Sequence, residues 1–123
     1  MQLIVAWYAV SDLERAKKFY GDVLGMKKTF EMQGWAEFGH AEGAASVGLN
    51  AAPRGEDAPK PGADSGATVV LRVDDIEKKE RELTARGVRF EGQIEEVPGV
   101  VKIATFRDPD GNRLQLCQVL AQG

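Results

Sequence analysis

The chain has 123 residues, 43% hydrophobic and 28% charged, with a formal net charge of −3. That suits one compact domain or two small modules sharing a core, and it gives no electrostatic case for nucleic acid, which favours basic patches. No apolar run approaches the roughly 20 residues needed to span a bilayer, so no membrane partner is expected. The single cysteine, Cys117, makes neither an intrachain disulfide nor a cysteine zinc site, and the reducing cytoplasm is the expected compartment.

The first element is a strand over residues 3–10. Its opening, Met1-Gln2-Leu3-Ile4-Val5, has no basic segment and no small-residue cleavage site, so it reads as strand rather than signal peptide. A helix follows. Ser11 with Glu14 predicts a capping box, in which the hydroxyl accepts from an orphan N–H and Glu14 reaches back. Leu13, Ala16, Phe19 or Tyr20, and Val23 recur at three-to-four spacing as one apolar stripe. Gly25 suits the left-handed position past a helix end. Strands are predicted over 27–33, 35–40 and 45–50. The stretch 52–66 carries Pro53, Pro59 and Pro61 among charges and glycines and reads as a linker or mobile flap.

The second half repeats the order of the first. An apolar strand over 67–73 leads into Val73-Asp74-Asp75-Ile76-Glu77, which echoes Val10-Ser11-Asp12-Leu13-Glu14. Asp74 with Glu77 is read as a second capping box, with an acidic cap that also suits the helix dipole. Ile76 and Leu83 give this helix a thin apolar stripe, so much of its outer face should meet solvent, and Gly87 ends it. The mixed-sign run Lys78-Lys79-Glu80-Arg81-Glu82 reads as that solvated face. Strands follow over 88–91, extending irregularly to 97, then over 100–107 and 113–119. The last two are joined by Asp108-Pro109-Asp110-Gly111-Asn112, whose Asp-Gly is a strong hairpin signal. The expected domains are a first βαβββ module over 1–51, the linker over 52–66 and a second βαβββ module over 67–123.

Strand parity separates two kinds of face. Val69, Leu71 and Val73 are uniformly apolar, as are Val47 with Leu49 and Leu114 with Leu116. A uniformly apolar face suits helix packing, and a mixed face suits a cavity or solvent. The mixed faces give the candidate cavity residues: Leu3, Val5, Trp7, Ser46, Gly48, Asn50, Thr68, Val70, Arg72, Arg113, Gln115 and Cys117.

Three features together carry a resemblance: the doubled βαβββ order, the Val10-Ser11-Asp12-Leu13-Glu14 helix start running on to Phe19-Tyr20 and Gly25-Met26, and the Asp-Pro-Asp-Gly-Asn turn. The chain resembles the vicinal-oxygen-chelate superfamily of glyoxalase I, bleomycin-resistance proteins and extradiol dioxygenases, over nearly its whole length. The resemblance implies an α+β fold, two βαβββ modules forming an open, curved, barrel-like sheet with helices on the outer face. In chains this short it also implies a homodimer with modules of both chains walling each cavity. The positions where the family's enzymes carry a His/Glu metal set hold Val5, Gly48, Thr68 and Gln115 here. Val5 and Gly48 have no side-chain donor, and Thr68 and Gln115 are weak neutral ones. A catalytic divalent metal needs about three good donors, so no metal and no cofactor are expected.

Other chemistry is thin. His40, the only histidine, falls at a strand end and reads as an exposed turn residue. Cys117 reads as a packed small hydrophobe. Glu37, Glu42, Glu95 and Glu96 default to solvated surface. Trp7 shares parity with Val5 and should reach the cavity, and Trp35 begins a strand beside it. The leading expectation is therefore a metal-free binder of a small organic molecule. Its polar contacts would come from Arg72, Arg113, Gln115, Thr68, Ser46 and Asn50, and its apolar wall from Val5, Trp7 and Val70. The alternatives are a glyoxalase-like lyase, isomerase or dioxygenase-related enzyme with a non-standard site, and a regulatory domain that has lost its cavity.

Overall fold

The structure is a computed structural model that describes residues 3–41, 43–51, 60–62 and 68–120. Most of the expected linker, together with Glu42 and Ala67, lies outside the described residues. The chain divides into two compact units. One holds the first half of the chain together with Asp108–Asn112, and the other holds the second half without that turn.

In the first unit, β1 (Val5–Ala9), β2 (Lys27–Met32), β3 (Trp35–Gly39) and β4 (Ser46–Asn50) form a sheet in the order β1-β4-β3-β2. β1 runs parallel to β4 and the other pairs are antiparallel. Helix α1 (Leu13–Lys18) continues directly into a π-helical turn at Phe19–Val23. The extra residue in a π turn breaks the regular stripe expected from spacing. It leaves Tyr20 fully buried and Phe19 half-buried. Tyr20 packs with Ala16, Ala36, Phe38, Val47 and Leu49 as the apolar core of this unit.

The second unit repeats the plan. β5 (Val69–Arg72), α2 (Ile76–Ala85), β6 (Phe90–Val97), β7 (Val101–Arg107) and β8 (Arg113–Val119) follow in sequence, with sheet order β5-β8-β7-β6 and only the β5–β8 pair parallel. Ile76 and Leu83 are the buried residues of α2, packing with Val88, Ala104, Phe106, Leu114 and Leu116, as the thin stripe predicts. β6 shifts register between Glu91 and Glu95, which is the expected irregularity. The α+β reading with two βαβββ modules holds. Each sheet is open at both edges, and neither closes into a barrel. Among the described residues no helix is long and apolar enough to cross a membrane.

Both helix caps differ from the capping boxes read in the sequence, each by one residue. The α1 cap is Asp12, whose carboxylate accepts from Arg15 N at 3.0 Å, and the α2 cap is Asp75, accepting from Lys78 N at 3.1 Å. Ser11 is diverted elsewhere. Its hydroxyl and its backbone N–H both donate to Asp110 Oδ1, at 2.5 and 3.0 Å. A charged acceptor outcompetes a local cap.

The turn Asp108–Asn112 is anchored in the first unit. Buried Asp108 accepts from Tyr20 Oη at 3.0 Å, from Asn112 N and Nδ2 at 2.8 Å each, and from Asp110 N at 2.9 Å. Asn112 Nδ2 also donates to Ala9 O at 3.3 Å, and Arg15 pairs with Asp110 at 3.2 Å. Burial pushes the Asp108 carboxyl above its ordinary value, against the opposing pull of these hydrogen bonds. Burial first, and the Asp108 charge second, raise Tyr20 well above its own. Tyr20 therefore stays a neutral donor.

Candidate functional site

One face of the first sheet is covered by the helix, and the other carries the candidate site. Register fixes which residues share that second face. Val5 stands opposite Ser46, and Trp7 opposite Gly48. Across β4, Glu37 pairs with Gly48 and Trp35 with Asn50. Across β3, Phe30 pairs with Glu37 and Met32 with Trp35. The sequence-predicted residues Val5, Trp7, Ser46, Gly48 and Asn50 are thus together on one surface.

Four more residues stand there that the sequence reading did not place in the site: Trp35, Glu37, Phe30 and Met32. The first two were within reach of the parity argument. In Trp35–Gly39, Ala36 and Phe38 are the buried pair, so Trp35 and Glu37 must take the other face. Phe30 and Met32 gave a misleading signal, since two apolar residues at alternate positions suggest helix packing. β2 is an edge strand with a register shift between Lys28 and Phe30, and both side chains are exposed, at 49% and 58%.

Gly48 organises this face. A Cβ built there would lie 2.6 Å from Trp35 Cη2 and 2.9 Å from Trp7 Cβ. The Trp35 indole therefore lies over the Gly48 backbone, where any side chain would stand. Its Nε1 donates to Glu37 Oε2 at 2.9 Å, and Ser46 Oγ donates to Glu37 Oε1 at 2.8 Å. The carboxylate is held at both oxygens in one orientation. Trp7 meets Trp35 edge to face, with centroids 6.2 Å apart and planes at 64°. Trp7 is 39% exposed. The surface is an aromatic floor, open to a partner, with one fixed carboxylate set into it.

The corresponding face of the second sheet carries the remaining predicted residues. Val70 stands beside Gln115, and Arg72 beside Cys117. Gln115 pairs with Thr105 and donates to its Oγ1 at 3.1 Å, while Arg113 Nε donates to Thr68 Oγ1 at 2.6 Å. Val70 and Arg72 are exposed, whereas Thr68, Arg113, Gln115 and Cys117 are half-buried. His40 is exposed just past the end of β3.

The residues present do not fit the metal centre that the resemblance implies. At position 48 an indole fills the space a ligand side chain would use, and Val5 offers no donor atom. Thr68 and Gln115 contribute only neutral groups already engaged with Arg113 and Thr105. Among the described residues no group of three or more His, Cys, Asp or Glu side chains is placed to hold an ion.

Comparison with solved structures places this architecture among known proteins. TnmS3, an antibiotic binding protein from Streptomyces sp. CB03234, is 28% identical, with 97% of this chain and 96% of that chain covered and a TM-score of 0.77. A glyoxalase/bleomycin resistance protein from the same organism is also 28% identical, with 94% and 98% covered and a TM-score of 0.69. A superfamily member from Sphaerobacter thermophilus DSM 20745 is 27% identical, with 96% and 97% covered and a TM-score of 0.73. No curated protein matches the chain. The family model described as Glyoxalase/Bleomycin resistance protein/Dioxygenase superfamily matches residues 3–116. Nearly the whole chain lies within that match, and the protein belongs to that superfamily.

Proposed function

We propose that the protein is a metal-free, cytoplasmic, homodimeric binder of a small organic molecule, held against the sheet faces without a cofactor. The observation that carries this reading is the apolar floor of Trp7, Trp35, Phe30 and Met32 around Gly48. Large apolar side chains exposed together on a sheet are a mark of a binding surface, and small-molecule sites are mostly apolar with a few fixed polar groups. The 28% identity to TnmS3, itself an antibiotic binding protein, supports the same reading. Val5, Ser46, Gly48 and Asn50 complete the first surface, and Thr68, Val70, Arg72, Arg113 and Gln115 are the residues proposed to contact a ligand on the second unit's own sheet face.

The test is a titration of a panel of planar aromatic compounds, followed by fluorescence of the chain's two tryptophans. Binding should be saturable, and Trp7→Phe should weaken it by about 0.5–1.5 kcal/mol, the scale of an aromatic pair. Gln115→Ala, followed by the amount of compound bound in equilibrium dialysis, tests the second unit's face, where it should weaken binding. A panel with no saturable response in wild type, or one unchanged in both variants, would sink the reading. A full equivalent of nickel, zinc, manganese or iron retained on purified protein would overturn its metal-free part.

A second reading, an enzyme with a non-standard site, draws on one observation. Glu37 is a carboxylate fixed on the exposed face by Trp35 and Ser46, within reach of anything bound there. Turnover of a bound compound by wild type, abolished in Glu37→Gln with binding retained, would favour it over the binder.

A further inference from the structure

We infer that the ligand of the first unit's sheet face is an organic cation, a planar aromatic ring bearing a positive charge, with Glu37 as its counter-charge. The inference rests on the binding reading above and gives it a ligand chemistry.

Like half-buried Glu80 and buried Asp108, Glu37 has no ion pair among the described residues, but of the three it alone stands on the sheet face beside Trp35. The exposed acid Glu31 is paired with both Lys17 and Lys28, and Glu91 with Arg107. Glu37 is half-buried, yet its two hydrogen bonds come from neutral groups, the Trp35 indole and the Ser46 hydroxyl. Among the described residues no lysine, arginine or histidine pairs with it. A carboxylate withdrawn from water without a counter-charge carries an uncompensated desolvation cost. Each of its oxygens uses one acceptor site on the protein and keeps another. The group is therefore fixed in place and still able to accept.

The surroundings select the kind of cation. Trp7 and Trp35 lie edge to face at 6.2 Å beside the carboxylate. An indole face attracts a cation as well as stacking on a planar ring. A compact hydrated ion would gain only the carboxylate, and a neutral arene only the indoles. A flat aromatic cation gains both, and its charge complements the acid it covers.

The experiment uses two probes of the same ring system, quinoline and its N-methylated cation N-methylquinolinium, at about pH 8 where quinoline is neutral. Each is titrated into the intact wild-type protein, and the indole N–H resonances of Trp7 and Trp35 are followed by proton–nitrogen correlation spectra. N-methylquinolinium should bind about tenfold more tightly than quinoline, and added salt should shrink that advantage. Glu37→Gln should abolish the advantage, so that within that variant the two probes bind with equal affinity. If that variant does not fold, the wild-type comparison and its salt dependence decide alone. Equal affinities that move both indoles would overturn the cation while leaving the aromatic binding surface standing. Indole shifts that follow protein dilution rather than either probe would mean a second copy of the chain covers the face, and would overturn it too. No response to either probe at millimolar concentration would sink this inference, while the wider panel judges the binding reading itself.

Discussion

A methyl group at position 48 would have nowhere to go. The Cβ would stand 2.6 Å from Trp35 Cη2 and 2.7 Å from Cζ2, far inside contact distance, so the indole must swing away. Gly48→Ala should cost about 1–3 kcal/mol, the scale of overpacking a fitted site. It should also break the Trp35–Glu37 hydrogen bond. Chemical denaturation and the Trp35 indole N–H shift measure these separately, and a variant with wild-type stability and an unmoved indole signal would refute the account. Asp108 offers a second residue-scale test, through pH. Its folded pKa is raised above the ordinary value of 3.8 by burial. Its contribution to stability is therefore fully present below the unfolded value and is lost as pH rises through the raised folded value. Asp108→Asn sacrifices hydrogen bonds at every pH but escapes that loss. The stability gap between wild type and variant should narrow from acid toward neutral pH. A gap that stays constant or widens would mean that burial does not dominate at this carboxyl.

At the scale of elements, the two helix starts separate what is local from what is not. The motifs beginning at Val10 and Val73 mark both helices, and the glycines that end them, Gly25 and Gly87, adopt φ of +73° and +97°. Strand boundaries fell within a residue or two of expectation because turn residues and period-two alternation are local signals. The caps did not, because the fate of Ser11 is set by Asp110, 99 residues away. Asp75→Ala should therefore cost about 1 kcal/mol, as loss of a cap does, and Asp74→Ala close to nothing. Thermal denaturation of the two variants decides, and the reverse order would restore Asp74 as the cap. The candidate site was legible to the same degree. Val5, Trp7, Ser46, Gly48 and Asn50 share a face because Val47 and Leu49 alternate with the three β4 residues and β1 pairs with β4 in register. Glu37 was read as solvated surface because nothing near it in sequence reveals that Ser46, on the neighbouring strand two residues from its register partner Gly48, closes a hydrogen bond on it. The bulge and exposure of β2 hid Phe30 and Met32 for the same reason.

At the scale of the whole molecule, the first unit is not a contiguous piece of chain. It takes Asp108–Asn112 from between β7 and β8. Those residues supply the acceptor for the buried Tyr20 hydroxyl, the partner of Ser11 and Arg15, and a donor to Ala9 O. A fragment of residues 1–65 would leave Tyr20 unsatisfied, at a cost of about 1–3 kcal/mol for a buried polar group, and would lose the ion pair and the remaining hydrogen bonds besides. Set against the roughly 5–15 kcal/mol that stabilises a whole domain, the fragment should lack native packing, with weak near-ultraviolet dichroism from Trp7 and Trp35. Both tryptophans belong to the first unit, and completing that unit requires the hairpin between β7 and β8. The intact chain should therefore unfold once, with tryptophan fluorescence and far-ultraviolet dichroism tracing a single transition. Two separated transitions, or a fragment with native near-ultraviolet dichroism, would show that the turn is an accessory to the first unit rather than a part of it.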